Sequence, residues 1–140
     1  MYKNNHIPGK KKIREWAESA LSRFRDNAEV TIRIVDEVES KQLNERWRKE
    51  KGSTNVLSFP AGGAMSLEPD LLGDVVICAP VVEREAKQQH KTFDAHIAHM
   101  VVHGILHLLG YDHVKDGDAA TMESIEVSIL ENLGYGNPYI

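Results

Sequence analysis

Sulphur, aromatic rings and long apolar runs are scarce in this sequence. Its 140 residues contain one cysteine, Cys78, which excludes an internal disulfide framework and leads us to expect a reducing compartment, the cytoplasm. No stretch approaches the ~20 apolar residues that span a bilayer, so no membrane association is expected. The start, Met1 to Lys12, is polar and basic with no apolar stretch behind it, so no signal peptide is expected. There is no internal repeat, no low-complexity segment and no Pro/Ser-rich linker. Ala61 to Pro69, with Gly62-Gly63 inside it, reads as a loop too short to separate domains. One domain over residues 1–140 is therefore expected, and a composition that is 41% hydrophobic and 27% charged can fill its core.

The formal net charge of -4 argues against nucleic acid until its distribution is considered. Residues 1–51 carry 13 Lys+Arg and 9 Asp+Glu, whereas residues 52–140 carry 4 and 12. A basic half that faces a polyanion and an acidic half that holds cations are compatible with one site. From charge alone, a solvated basic first helix explains the same numbers.

Hydrophobic periodicity places the elements. Ile13, Trp16, Ala17, Ala20, Leu21 and Phe24 form one helical stripe. Val30, Ile32 and Ile34 alternate with polar residues as a strand does. A second helix is expected to turn Val38, Leu43 and Trp47 inward. Asn55 to Phe59 reads as a short strand ended by Pro60, and Leu71 to Cys78 as a buried strand containing Gly73 and Asp74. Pro80 suits the first turn of a helix over 80–89. Thr92 is placed to cap a helix that runs to Leu109, where Gly110 stops it. The last helix starts near Asp116 or Asp118, buries Met122, Ile125, Ile129, Leu130 and Leu133, and closes at Gly134. The fold class is α+β, a small sheet with helices packed on it.

Five of the seven histidines lie between positions 96 and 113. His96, His99, His103 and His107 share one stripe of the helix over 92–109. Its flanks carry Val101, Val102, Ile105, Leu106, Leu108 and Leu109, so the helix is buried on most sides. Unpaired buried imidazoles are costly, and a divalent metal satisfies them through neutral ring nitrogens. His103 and His107, four apart, place two ligands on one face, and Gly110 permits a turn that returns His113 to the same ion. The spacing H-x3-H-x5-H is that of the metzincin zinc site. Three histidines with an open fourth position is the catalytic arrangement. His96 and His99 read as packed residues or as partners of the ligands, although His99, four before His103, also allows a shifted ligand pair. Metalloproteases of this pattern carry Glu after the first histidine as general base. Gly104 stands there instead, so peptide hydrolysis is disfavoured.

The sequence is similar to the YbeY family of bacterial endoribonucleases that mature ribosomal RNA. The resemblance rests on three blocks: His103-Gly-Ile-Leu-His-Leu-Leu-Gly-Tyr-Asp-His113, Leu72-Gly-Asp-Val-Val-Ile-Cys78, and Ser53-Thr-Asn-Val-Leu-Ser-Phe-Pro60. It extends over nearly the whole chain, with Ser53 where the family carries Pro. It implies a central mixed sheet of about four strands with about five helices, and zinc on His103, His107 and His113, other divalent ions being alternatives. It also implies cleavage of single-stranded RNA at the 3' end of 16S ribosomal RNA and in late ribosome quality control. Arg48 takes the family's functional arginine position. The implied partners are ribosomal RNA and ribosomal subunits, with ribosomal proteins or a GTPase as further candidates.

The chemistry is consistent with this. A divalent ion activates water near neutral pH without a strong protein base and polarises a phosphoryl oxygen. An arginine clamps the charge that develops on a phosphodiester. Arg46-Trp47-Arg48-Lys49 with Lys51 can track an RNA backbone, although as residues alone they read more simply as a solvated helix end, with Trp47 in the core. Asp74 either orients a ligand histidine or Arg48, or is a hydrogen-bonded structural residue. Asp112 reads as a turn residue and Cys78 as a small buried hydrophobe. Two other classes compete: a ribosome-assembly or RNA-binding factor in which zinc is chiefly structural, and another metal hydrolase, including an atypical peptidase. The general base, and whether water or the RNA 2'-hydroxyl attacks, are not assigned by the sequence.

Overall fold

The computed structural model describes residues 7–61, 70–111 and 116–139, with side chains from residue 119 onward in the last segment. In chain order the elements are α1 (Lys10–Leu21), β1 (Glu29–Val35), α2 (Glu37–Leu43), a π-helical turn (Asn44–Arg48), β2 (Val56–Pro60), β3 (Leu71–Cys78), α3 (Ala79–Gln88), α4 (Phe93–Leu108) and α5 (Asp116–Asn132). The sheet is mixed and has the order β1-β3-β2, with β1 parallel and β2 antiparallel to β3. The class is therefore α+β with five helices, as expected. The described residues supply three strands rather than about four.

β3 is the hub, paired on both edges and buried from Val75 to Cys78. Its side chains alternate between two cores. Val75 and Ile77 join the main core beneath α4, with Ile97, Val101, Ile105 and Leu106 of that helix. Val76, with Val35 and Leu57, forms the smaller core on the opposite face, against Leu43 and Phe59. Cys78 lies in this buried strand at 1% exposure, and burial raises its thiol pKa, as suits a structural cysteine.

Helix ends follow their sequence signals. The Thr92 hydroxyl accepts from the Ala95 amide at 3.1 Å. Gly110, at φ +103°, takes the left-handed turn after α4 that a side chain would resist. Pro80 sits in the first turn of α3. Met122, Ile129 and Leu130 of α5 are buried.

α2 departs from expectation. Val38 is 66% exposed and Trp47 60% exposed, rather than inward. Leu43 does pack, against the smaller core, but the rest of the docked face is polar. The Ser40 hydroxyl meets Thr54 O and Thr54 N at 3.1 and 3.2 Å, and Asn44 Nδ2 donates to Gly52 O at 2.9 Å. These bonds dock the helix on the 52–54 loop and leave Trp47 beyond the docked turns, just before the chain turns through left-handed Lys49. Phe24, expected in the α1 stripe, is 37% exposed and packs beside Tyr111.

Two glycines permit close approaches, Gly73 between β3 and β2 and Gly104 between α4 and β3. A Cβ on Gly73, at φ +144°, would lie 2.1 Å from Phe59 O. A Cβ on Gly104 would lie 2.6 Å from Val75 Cγ1, because α4 rests directly on β3 there. Val is stiff about χ1 and cannot swing clear. Gly104→Ala is therefore expected to destabilise the fold by about 1–3 kcal/mol. Urea unfolding checks this, and Val75→Ala in the same chain should recover part of the loss.

Candidate active site

Helix α4 carries the site. Its middle, residues 96–102, is buried, whereas His103 and His107 are half-buried toward its C-terminal end. Ser58 of the edge strand β2 donates to Gly104 O at 3.0 Å and fixes the strand beside this pair. Together these elements wall a cleft of about 680 Å³. Its lining includes His103, His107, Asn44, Arg48, Lys51 and Asn55. The π-helical turn puts Arg48 in the cleft. Such turns recur at functional sites because one extra residue re-aims the side chains that follow. Trp47 remains outside, with the Arg46 guanidinium 5.1 Å from its ring centre.

The ring nitrogens are ordered by a carboxylate that the sequence reading did not select, Glu126 of α5. It is fully buried. His103 Nδ1 donates to Oε1 at 2.7 Å, and His99 Nε2 donates to Oε2 at 2.7 Å. The Tyr139 hydroxyl also donates to Oε2. Burial raises the Glu126 pKa, but the bonds from His103, His99 and Tyr139 outweigh it and bring it to about 2. An ionised carboxylate only accepts, so each histidine keeps its proton on the nitrogen facing Glu126. For His103 that directs Nε2 away from Glu126, and it lies 3.1 Å from His107 Nε2.

Two groupings are open to a metal. His99, His103 and Glu126 offer ligand atoms that all lie within 4.8 Å of one another. Their 2.7 Å contacts, however, are hydrogen-bond lengths, shorter than the ~3.4 Å between ligand atoms of a tetrahedral ion with 2.0–2.1 Å bonds. The 3.1 Å between the Nε2 atoms of His103 and His107 is closer to that separation. There Glu126 takes the role of the carboxylate that orients a ligand histidine. His113, the third ligand read from the sequence, and Asp112 lie outside the described residues.

The remaining candidates separate cleanly. His96 Nε2 bonds to Glu85 Oε1 at 2.9 Å, and Asn55 Nδ2 donates to the same oxygen at 3.1 Å, tying α3, α4 and the start of β2 together. Asp74 alternates with Val75 and so faces away from α4. Among the described residues no hydrogen bond joins it to Arg48 or to a histidine, and a role in orienting either one is not seen. Glu126 was legible in principle: it is a lone acid four residues after Met122 and three before Ile129, on the buried stripe of α5.

A histidine pair, one member of which is held by a buried carboxylate, lines the same polar cleft as an arginine on an α+β fold, an arrangement that suits a hydrolytic enzyme. The comparisons give that class its family. A family model described as Endoribonuclease YbeY matches residues 2–134. A curated Endoribonuclease YbeY from Cellvibrio japonicus (strain Ueda107) is 51% identical over 137 residues, which is 97% of this chain and 77% of that protein. A Thermotoga maritima protein solved in solution superposes with a TM-score of 0.65 at 29% identity, over 90% of this chain and 85% of that one. The chain belongs to the YbeY endoribonuclease family and is an enzyme acting on RNA.

The Glu126 network has a pH signature. A carboxylate with a depressed folded-state pKa contributes stability above its unfolded value, here 4.5, and loses it as the pH falls through about 2. The melting temperature of metal-free protein should therefore fall between about pH 4.5 and pH 2. Thermal melts of Glu126→Gln should show a shallower fall over that interval, and an unchanged slope would count against an ionised Glu126.

Proposed function

We propose that this chain is a zinc-dependent endoribonuclease that cuts single-stranded RNA in ribosomal RNA maturation. Its expected target is the 3' end of 16S ribosomal RNA on ribosomal subunits in the cytoplasm, with the 140 residues working as one catalytic domain. The observation that carries the metal reading is the 3.1 Å approach of His103 Nε2 and His107 Nε2 at the wall of the cleft, with His103 held from behind by Glu126. His103, His107 and His113 are the proposed ligands. When bound, the ion supplies Lewis-acid stabilisation of a phosphoryl oxygen and lowers the pKa of water.

The chain's own residues do the rest. Arg48 lines the same cleft as the histidines, where a guanidinium can pair with two phosphodiester oxygens and offset the charge that grows on them. Lys51 lines the same cleft and adds attraction for the backbone without reading bases. Asn44 has its amide committed to Gly52 O, so it shapes the wall of the cleft rather than contacting RNA through that group. The exposed ring of Trp47, beside Arg48 in sequence, offers an unpaired base a stacking surface, which a duplex with its bases already stacked does not exploit. Cleavage by a peptidase mechanism finds no support, because the place of the peptidase glutamate is taken by Gly104, pressed on Val75.

The test is cleavage of a labelled single-stranded RNA by zinc-loaded protein beside identically purified His107→Ala and Arg48→Ala. Native protein should cut. His107→Ala should lose cleavage to background. Arg48→Ala should lose about 10²–10³-fold in kcat with zinc content unchanged, the range for removing one preorganised charge-stabilising donor. Equal cleavage by native and His107→Ala protein would point to a contaminating nuclease, and absence of cleavage by any of them would favour an assembly factor with structural zinc.

A further inference from the structure

The segment after α5 approaches the back of the histidine site. Gly134, at φ +93°, turns the chain out of the helix, and Tyr135 N donates to Leu130 O at 2.9 Å. Lys91 Nζ donates to Pro138 O, and Tyr139 N donates to Asn137 Oδ1 at 2.8 Å. These bonds present Tyr139 edge-on to His99, with ring centres 5.3 Å apart and planes at 85°. The Tyr139 hydroxyl reaches Glu126 Oε2 and lies 3.2 Å from His99 Nε2. Tyr139 lies beyond residues 2–134, the part of the chain that the family model matches.

A glutamate carboxylate turns easily about its last bond, because that torsion is broad and roughly two-fold. A hydrogen bond to one oxygen does not stop that rotation, and pins on both oxygens do. Oε1 of Glu126 is pinned by His103, and Oε2 by His99 and Tyr139 together. The three donors differ in origin. His99 and His103 belong to α4 and move with it, whereas Tyr139 anchors the carboxylate to a different part of the chain.

We propose that Tyr139 is a positioning residue of the metal site: by donating to Glu126 Oε2 it fixes the carboxylate that sets the His103 ring. This rests on the reading of His103 and His107 as ligands. Phenylalanine at 139 keeps the ring against His99 and removes only the hydroxyl. The loss is one hydrogen bond to a charged group, which the metal feels through Glu126 and His103.

The experiment measures zinc affinity by competition with a chromophoric chelator, for native protein, Tyr139→Phe, Glu126→Gln and the double variant, with His107→Ala as control. Glu126→Gln should weaken binding about 10–100-fold, as loss of an orienting partner does. Tyr139→Phe should weaken it about threefold to tenfold, the size of one such hydrogen bond. The double variant should bind like Glu126→Gln alone, since Tyr139 then has no carboxylate to position. The visible absorption of the cobalt-loaded protein, which reports ligand geometry, should shift in Tyr139→Phe while far-UV circular dichroism stays native. Native affinity and an unshifted cobalt spectrum in Tyr139→Phe would overturn the proposal, as would losses that multiply in the double variant. A native protein that binds no zinc, or a His107→Ala protein that binds it equally well, would overturn the ligand reading and this proposal with it.

Discussion

A negative charge fully withdrawn from water organises this protein's chemistry. Glu126 is tolerable in the interior only because two histidines of α4 and a tyrosine of the C-terminal segment converge on it. That requirement fixes where α5 lies on α4, which nitrogen of His103 holds its proton, and which face of the His103 ring is turned toward His107. A buried polar group that is satisfied on every side specifies one arrangement, since alternatives leave a charge or an N–H without a partner. The packing of α5 and the orientation of the site are thus one constraint seen from two ends.

The sheet contributes rigidity rather than chemistry. β3, paired on both sides and filled with β-branched residues, is the platform on which α4 lies, and Gly104 lets the helix descend onto Val75. Ser58 ties β2 to the same glycine from the edge of the sheet. Elsewhere around the cleft, α2 and the π-helical turn are held through polar bonds to the 52–54 loop. The cleft thus has one wall set by apolar packing and another set by hydrogen bonds.

Much of this was legible in the residues, for reasons that also explain the exceptions. α4 announces itself through the Thr92 cap, an apolar run and Gly110, all local signals. The strand over 71–78 is β-branched and continuous, as a doubly covered strand is. Trp47 and Val38 were misplaced because periodicity assumes that a helix buries its whole apolar stripe, whereas of that stripe only Leu43 packs and Ser40 and Asn44 supply the remaining docking. Glu126 was passed over because a single acid in a helix is ordinarily solvent-facing, and only its place between Met122 and Ile129 marks it as buried. The hydroxyl of Tyr139 left no local signal. Its role depends on a contact with His99, 40 residues away, and periodicity carries no information about such pairs.

The contact between Gly104 and Val75 also bears on how this site relates to the peptidases that share its histidine spacing. A glutamate at position 104 would not stand in the cleft as a base, because the position points into the layer between helix and sheet. Making room for it means lifting α4 from β3, and that movement would carry His103 and His107 away from the wall they share with Ser58. The two chemistries are therefore separated by the depth at which a helix sits on a strand, and no single substitution at position 104 converts one into the other.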